Sequence, residues 1–190
     1  AGPWLVDRRR LGDEETVRLV VLAEPLDERS APFCAEVAEA VAALFGRESL
    51  SITGGLLRAL QQAHTNLAEW NHRSLREHHV AIGVSCVAIR EGEATIALAG
   101  PGSAYTGGLA GVSRLGTEGT PAERPLGGDE PIEPQFLTTP FRDVEILLLT
   151  SSAEHVAGEQ AVVQAMAAGA ERVLGELYPR TRDVRDMCAV

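Results

Sequence analysis

Val17-Arg-Leu-Val-Val-Leu-Ala-Glu-Pro25 is a run of branched aliphatic residues that stops at a glutamate and a proline. Branched side chains fit a pleated, buried surface, and proline lacks the backbone donor that would continue a ladder. The segment therefore reads as a buried strand. Downstream, Phe33, Val37, Val41, Leu44 and Phe45 fall on one helical face, with Gly46 as a stop signal. Leu56, Leu60, Ala63, Leu67 and Trp70 trace the stripe of a second, longer helix, for which Ser51 or Thr53 is the cap. After His79 the period changes, and residues 80–90 and 93–99 read as a hairpin turning at Glu91-Gly92.

Residues 100–140 are crowded with glycine and proline and read as loops over one end of the sheets, with short strands near Ala104-Tyr105 and Val112. Residues 144–150 look like another buried strand. Val162, Val163, Met166, Ala170, Val173, Leu174 and Leu177 then repeat at helical spacing, which predicts a single third helix ended by Pro179. Residues 187–190 begin a last strand. This order of elements is not the regular alternation of a doubly wound sheet, and it predicts a layered α+β domain with helices outside the sheets.

The 190 residues, 45% of them apolar, suffice for one core, so one domain over residues 1–190 is expected. With aromatic residues at 4%, that core must be built from Ala, Val, Leu and Ile. A net charge of -10 and the lack of any basic stretch longer than Arg8-Arg9-Arg10 argue against nucleic acid as a partner. No apolar run approaches the roughly 20 residues that span a bilayer, so no membrane association is expected. The chain starts at Ala1 rather than Met, and its first residues carry Asp and Arg instead of the apolar core of a signal peptide. Cys34, Cys86 and Cys188 form no CxxC pair, which predicts neither a disulfide framework nor a zinc ribbon and suggests a reducing, cytoplasmic home. His72 and His78-His79 lack metal-ligand spacing and read as a solvated helix end. Ser151-Ser152 lacks a GxSxG elbow and reads as a helix cap, and Gly100–Gly108 lacks the Lys-Ser/Thr of a phosphate loop and reads as a hairpin connection.

Several of these segments, in order, resemble motifs of the metal-dependent protein phosphatases (PPM, or type 2C). Val20-Val-Leu-Ala-Glu-Pro25 is similar to the family strand that ends in Ala-Asp-Gly, and Ala35-Glu-Val-Ala38 to its Gly-Glu-Val-Ala helix start. Gly83-Val-Ser-Cys-Val-Ala88 resembles Gly-Thr-Thr-Leu-Val-Ala, Gly100-Pro-Gly-Ser-Ala-Tyr105 resembles Gly-Asp-Ser-Arg-Ala-Tyr, and Pro125-Leu-Gly-Gly128 resembles Ala-Leu-Gly. Residues 141–152 are similar to the strand that runs into Ser-Asp-Gly, and Arg185-Asp-Met-Cys188 stands where the family has Asp-Asn-x-Thr. The resemblance implies a four-layer αββα sandwich, two antiparallel sheets flanked by helices. It also implies phosphoserine and phosphothreonine hydrolysis by water activated between two Mn or Mg ions.

The departures fall on the ion ligands. Hard cations need anionic oxygens, and the resemblance leaves Glu24 and the Pro25 carbonyl as metal positions, while Ser152 and Arg185 stand where aspartates belong. A fixed guanidinium charge opposes the ions it would have to hold. Pro101 and Gly102 neighbour this site, Asp186 is a ligand only if the register slips by one, and Arg8 to Arg10 and Asp13 to Glu15 are stand-ins for the family's N-terminal arginine and acid. The expectation is a degenerate phosphatase domain, inactive or weak, that binds a protein partner or phosphoprotein and holds no metal cofactor. In it Arg185 pairs with Glu24. The alternatives are an active phosphatase with an altered Mn or Mg site, and an unrelated α+β domain with a small-molecule cleft under the Gly/Pro-rich loops. Oligomeric state is left open.

Overall fold

A computed structural model describes residues 2–10, 13–181 and 187–189 of the chain. The decisive strand runs from Asp13 to Pro25 (β2) and is preceded by a strand that periodicity does not announce, β1 (Gly2–Arg10). The two pair antiparallel from Gly2↔Val21 to Arg10↔Asp13, so the three arginines stand opposite Glu15, Glu14 and Asp13. Opposite charges across a ladder stabilise a pairing, and this charge complementarity is the signal that identifies the strand. β3 (Ile82–Arg90), β4 (Glu93–Ala99) and β7 (Gln135–Pro140) complete a first sheet of order β1-β2-β3-β4-β7. The β3–β4 turn carries Glu91 at φ 50° and Gly92 at φ 78°, the left-handed pair that a two-residue hairpin requires.

A second sheet has the order β6-β5-β8-β9, made of β5 (Ser103–Gly108), β6 (Gly111–Gly116), β8 (Glu145–Leu149) and β9 (Met187–Ala189). All pairings in both sheets are antiparallel. Successive side chains of a strand face opposite ways, and β2 divides accordingly. Val17, Leu19, Val21 and Ala23 pack against α1 (Cys34–Arg47) and α2 (Ile52–Arg73). Val20 and Leu22 face Ala104, Ile146 and Leu148 of the second sheet. On that sheet's far side, Tyr105, Leu147 and Leu149 pack against α3 (Ser151–Ala157), α4 (Glu159–Ala167) and α5 (Ala170–Thr181). Helices, sheet, sheet and helices thus form the expected αββα sandwich.

Five local expectations are corrected. Gln135–Pro140 lies in the stretch read as loop, yet forms an edge strand against β4 whose half-buried side chains carry little periodic signal. The single third helix read over residues 162–177 is instead two, α4 and α5, and the short α3 precedes them. Gly158 at φ 81° separates α3 from α4, and Gly169 at φ 98° separates α4 from α5; left-handed backbone at each point breaks the helix while preserving its apolar stripe. Pro179 lies inside α5 and does not end it, and Pro25 does not end its ladder, since it pairs with Ile82 and Leu26 donates to Ala81. Trp70 shares the α2 stripe but is 52% exposed.

The first arginine of the basic run is not solvated either. Arg8 is 2% exposed; its Nε donates to the Phe45 carbonyl at 3.1 Å, its Nη2 to the carbonyls of Glu48 and Leu50 at 3.0 and 2.9 Å, and its Nη1 pairs with Glu15 at 3.2 Å. The guanidinium carbon sits 4.1 Å from the centre of the Phe45 ring. Arg8 thereby closes the α1–α2 connection onto the sheet edge. Removing it strands buried carbonyls and a carboxylate, so Arg8→Met should lower stability in urea unfolding by at least about 3 kcal/mol. A loss below about 1 kcal/mol, the range of an exposed ion pair, would contradict this structural role.

Candidate functional site

Val20 and Leu22 of β2 face the sandwich interior, and Glu24, two residues on along the same side of the strand, is 5% exposed at the end of the sheet. Across the ladder it stands opposite Gly83. A Cβ on Gly83 would lie 2.9 Å from Glu24 Cγ, so glycine is what lets the carboxylate fold back over β3. The segment Gly100-Pro101-Gly102 crosses from the first sheet to the second directly above. Gly100 has φ 108° and approaches so closely that a Cβ would come 2.5 Å from Gly83 Cα, a position that only glycine can hold. A Cβ on Gly102 would lie 3.0 Å from Glu24 Oε1, 2.8 Å from Ser85 Oγ and 3.3 Å from the Leu149 carbonyl. The Gly100 N–H donates to Ala122 and its carbonyl accepts from Thr117 Oγ1, which fixes the crossing.

Glu24 Oε2 accepts two hydrogen bonds from one residue of the opposite half: from the Ser151 N–H at 2.8 Å and from Ser151 Oγ at 2.9 Å. Ser151 opens α3, directly after β8. The cap itself is Thr150, whose Oγ1 accepts from the Ala153 N–H at 3.2 Å, so neither serine fills the capping role expected of it. Ser152 is exposed, lies 3.1 Å from Thr150 through its hydroxyl, and faces an open cleft of about 670 Å³. Pro101, Arg114, Ser151 and His155 also line that cleft. Pro25, half-buried in the ladder, follows Glu24 at its rim. Arg185 and Asp186, and with them the expected Glu24–Arg185 pair, lie outside the described residues.

The N-terminal stand-ins are elsewhere. Glu15 precedes Glu24 by nine residues on one continuous strand, a separation of about 30 Å. Glu15 is held there by Arg8 and, at 2.5 Å, by Arg90. Arg8, and the acids Asp13 to Glu15, therefore belong to the opposite end of the first sheet. The Pro125-to-Gly128 motif is a structural loop: Asn71 Nδ2 donates to the carbonyls of Val80 and Gly127, both at 2.8 Å, and Gly127 has φ 94°.

A cluster absent from the sequence-based expectations anchors α3 a second time. Glu154 is gripped by both forks of Arg114, at 2.6 and 3.0 Å, and accepts a hydrogen bond from the buried Tyr105 hydroxyl. Burial works against the Glu154 charge, but Arg114 and Tyr105 outweigh it and hold the carboxyl below its ordinary value. Burial, reinforced by Glu154, pushes Tyr105 well above the usual phenol range. The signal in the sequence is only Tyr105, Arg114 and Glu154 on three separate segments, which nothing local connects.

A two-ion centre demands several anionic oxygens at one point. Among the described residues, no three or more His, Cys, Asp or Glu side chains come together to hold a metal ion. At the sandwich end Glu24 accepts two hydrogen bonds through Oε2, and Gly83 and Gly102 lie beside Oε1. The described residues do not fit such a centre.

No family model and no curated protein matches the chain. Solved structures do. The S. agalactiae serine/threonine phosphatase superposes with a TM-score of 0.75 at 9% identity, over 98% of this chain and 90% of its own. The serine/threonine phosphatase Stp1 from Staphylococcus aureus gives 0.70 at 11% identity, over 98% and 86%. The catalytic domain of the serine/threonine protein phosphatase PstP, solved with two manganese ions, gives 0.69 at 11%, over 99% and 95%. The chain has the PPM phosphatase fold, and the unrelated α+β alternative is removed.

Two outcomes test the site. Ser151→Ala removes a hydrogen bond to a buried carboxylate and should cost about 1.5–3 kcal/mol in urea unfolding, where an exposed serine would cost nothing measurable. For Glu154 the folded carboxyl sits below its unfolded value of 4.5, so its stabilisation is complete above that pH and is lost as pH falls through the folded value. Arg114→Met should therefore flatten the acid limb of the stability profile below that pH. An unchanged acid limb would remove Arg114 as the cause.

Proposed function

We propose that this chain is a phosphatase-fold module that does not carry out efficient metal-dependent hydrolysis and serves as a cytoplasmic binding or regulatory domain spanning residues 1–190. One observation carries the reading: the carboxylate at the family's metal position is engaged by the N–H and hydroxyl of Ser151 and packed under Gly102. In this role Glu24 ties the two halves of the sandwich together through hydrogen bonds, where the family ties them through cations. Ser152 in place of an aspartate, and Arg185 in place of another, support the same reading, with Arg185 compensating Glu24.

The cleft beside Glu24 favours an unmodified protein over a phosphoprotein. Glu118, Glu123 and Glu159 line it, and its guanidinium, Arg114, is already paired with Glu154. A phosphoryl group brought among these carboxylates would meet like charge, with no unpaired arginine among the described lining residues. No helix among the described residues is long and apolar enough to cross a membrane, and Cys86 is a buried free thiol, which suits the cytosol.

The test is direct. Calorimetry with Mn should give no binding heat, and hydrolysis of p-nitrophenyl phosphate or a phosphoserine peptide should stay at the rate without protein whether Mn or chelator is present. Mn-dependent turnover that Glu24→Gln abolishes would sink the reading in favour of an active phosphatase with an altered ion site.

A further inference from the structure

The outer face of the first helical layer holds a groove of about 250 Å³ between α1 and α2. Val37, Ala63 and Leu67 line it, and Phe33 and Trp70, packed on each other as a tilted pair with ring centroids 6.0 Å apart at 56°, form its aromatic side. A tryptophan on the apolar stripe of α2 would be expected to face the core, yet Trp70 leaves 52% of its surface exposed. The volume lies below the roughly 300 Å³ of a small-molecule pocket and suits one or two large apolar side chains inserted from a partner. Aromatic side chains at such a cavity are the usual anchors of protein–protein contacts.

The rim decides what enters. Glu36 lines the mouth, and Glu39 follows it at i+3 on the same exposed side of α1. Neither pairs with a described cation, whereas Glu69 next to Trp70 is matched by Arg73 at 3.8 Å. Two uncompensated carboxylates on a chain of net charge -10 attract a cationic partner and repel an anionic one. A second copy of this chain meets the groove with the same two glutamates, because a two-fold interface presents one patch to itself. Anionic lipid headgroups are repelled likewise.

We propose that the α1–α2 groove is the docking surface of this module, and that it takes an amphipathic helical segment of a partner protein with large apolar anchors at i and i+4 flanked by Lys or Arg. The proposal deepens the reading of the chain as a binding domain and rests on it. Specificity comes from the Phe33–Trp70 pair, which receives the anchor, and association is accelerated by Glu36 and Glu39, which face its basic flank.

The experiment uses the full chain and a synthetic helical peptide with Leu at those anchor positions and Lys on its remaining face, followed by calorimetry. Binding is expected to weaken at least about tenfold in Trp70→Ala, the loss of an anchor contact. It should fall with ionic strength, and the Glu36→Lys/Glu39→Lys double variant, whose positions are exposed, should remove that salt dependence. A peptide carrying Glu in place of Lys should not bind. Equal binding of the acidic peptide, an unchanged affinity in both variants, or self-association of the chain abolished by Trp70→Ala would overturn the proposal. Because no substrate or metal enters this measurement, Mn-dependent hydrolysis found separately would defeat the regulatory reading while the groove result stood on its own.

Discussion

A buried carboxylate at the open end of a β-sandwich must be compensated, and here Ser151 does it with a backbone N–H and a hydroxyl on one oxygen. Burying a charge without partners costs several kcal/mol, so the pairing of Glu24 with Ser151 constrains everything around it. β2 has to end where β8 turns into α3. The crossing from the first sheet to the second has to be glycine-rich so that backbone can pass within contact distance of Gly83 and Glu24. The second half of the molecule is fixed against the first through this contact as well as through the apolar sandwich interior.

α3 is short and would be marginal alone, since fewer than three turns cannot recover the cost of nucleation. It is held by Glu24 at its first residue, by the Thr150 cap, and by Glu154 in the Arg114 fork beneath the Tyr105 hydroxyl. These polar contacts lie on the wall of one cleft, so the chemistry available there is that of a rigid, hydrogen-bonded and acid-rich surface. The opposite end of the first sheet is organised by a different buried charge, Arg8, which satisfies carbonyls of the α1–α2 connection. Two buried ionic groups at opposite ends thus set the orientation of the helical layers on their sheets.

Much of the architecture is legible in the residues. The alternation in β2, the helical stripes of α1 and α2, and the Glu91-Gly92 turn each follow from a local period or a local backbone preference. So does the apolar stripe running through residues 162–177, although its division into two helices follows from Gly169, whose left-handed backbone a stripe does not reveal. β7 escapes notice because an edge strand with one half-buried face needs no run of branched residues. For the site, Glu24 and Gly102 come together at one end of the sandwich, while the serine on Glu24 is Ser151 and the one facing the cleft is Ser152.

What the sequence determined by itself was the order of most elements and the apolar faces of the helices, because burial imposes periodic patterns on the chain. Tertiary structure alone decided which charges are internal. Arg8 reads only as part of a short basic run until β1 pairs with β2 and brings it under Phe45, and Glu24 meets Ser151 across 127 residues of chain. Contacts at such separations leave no local period, since they depend on where two strand ends meet and on the desolvation that follows.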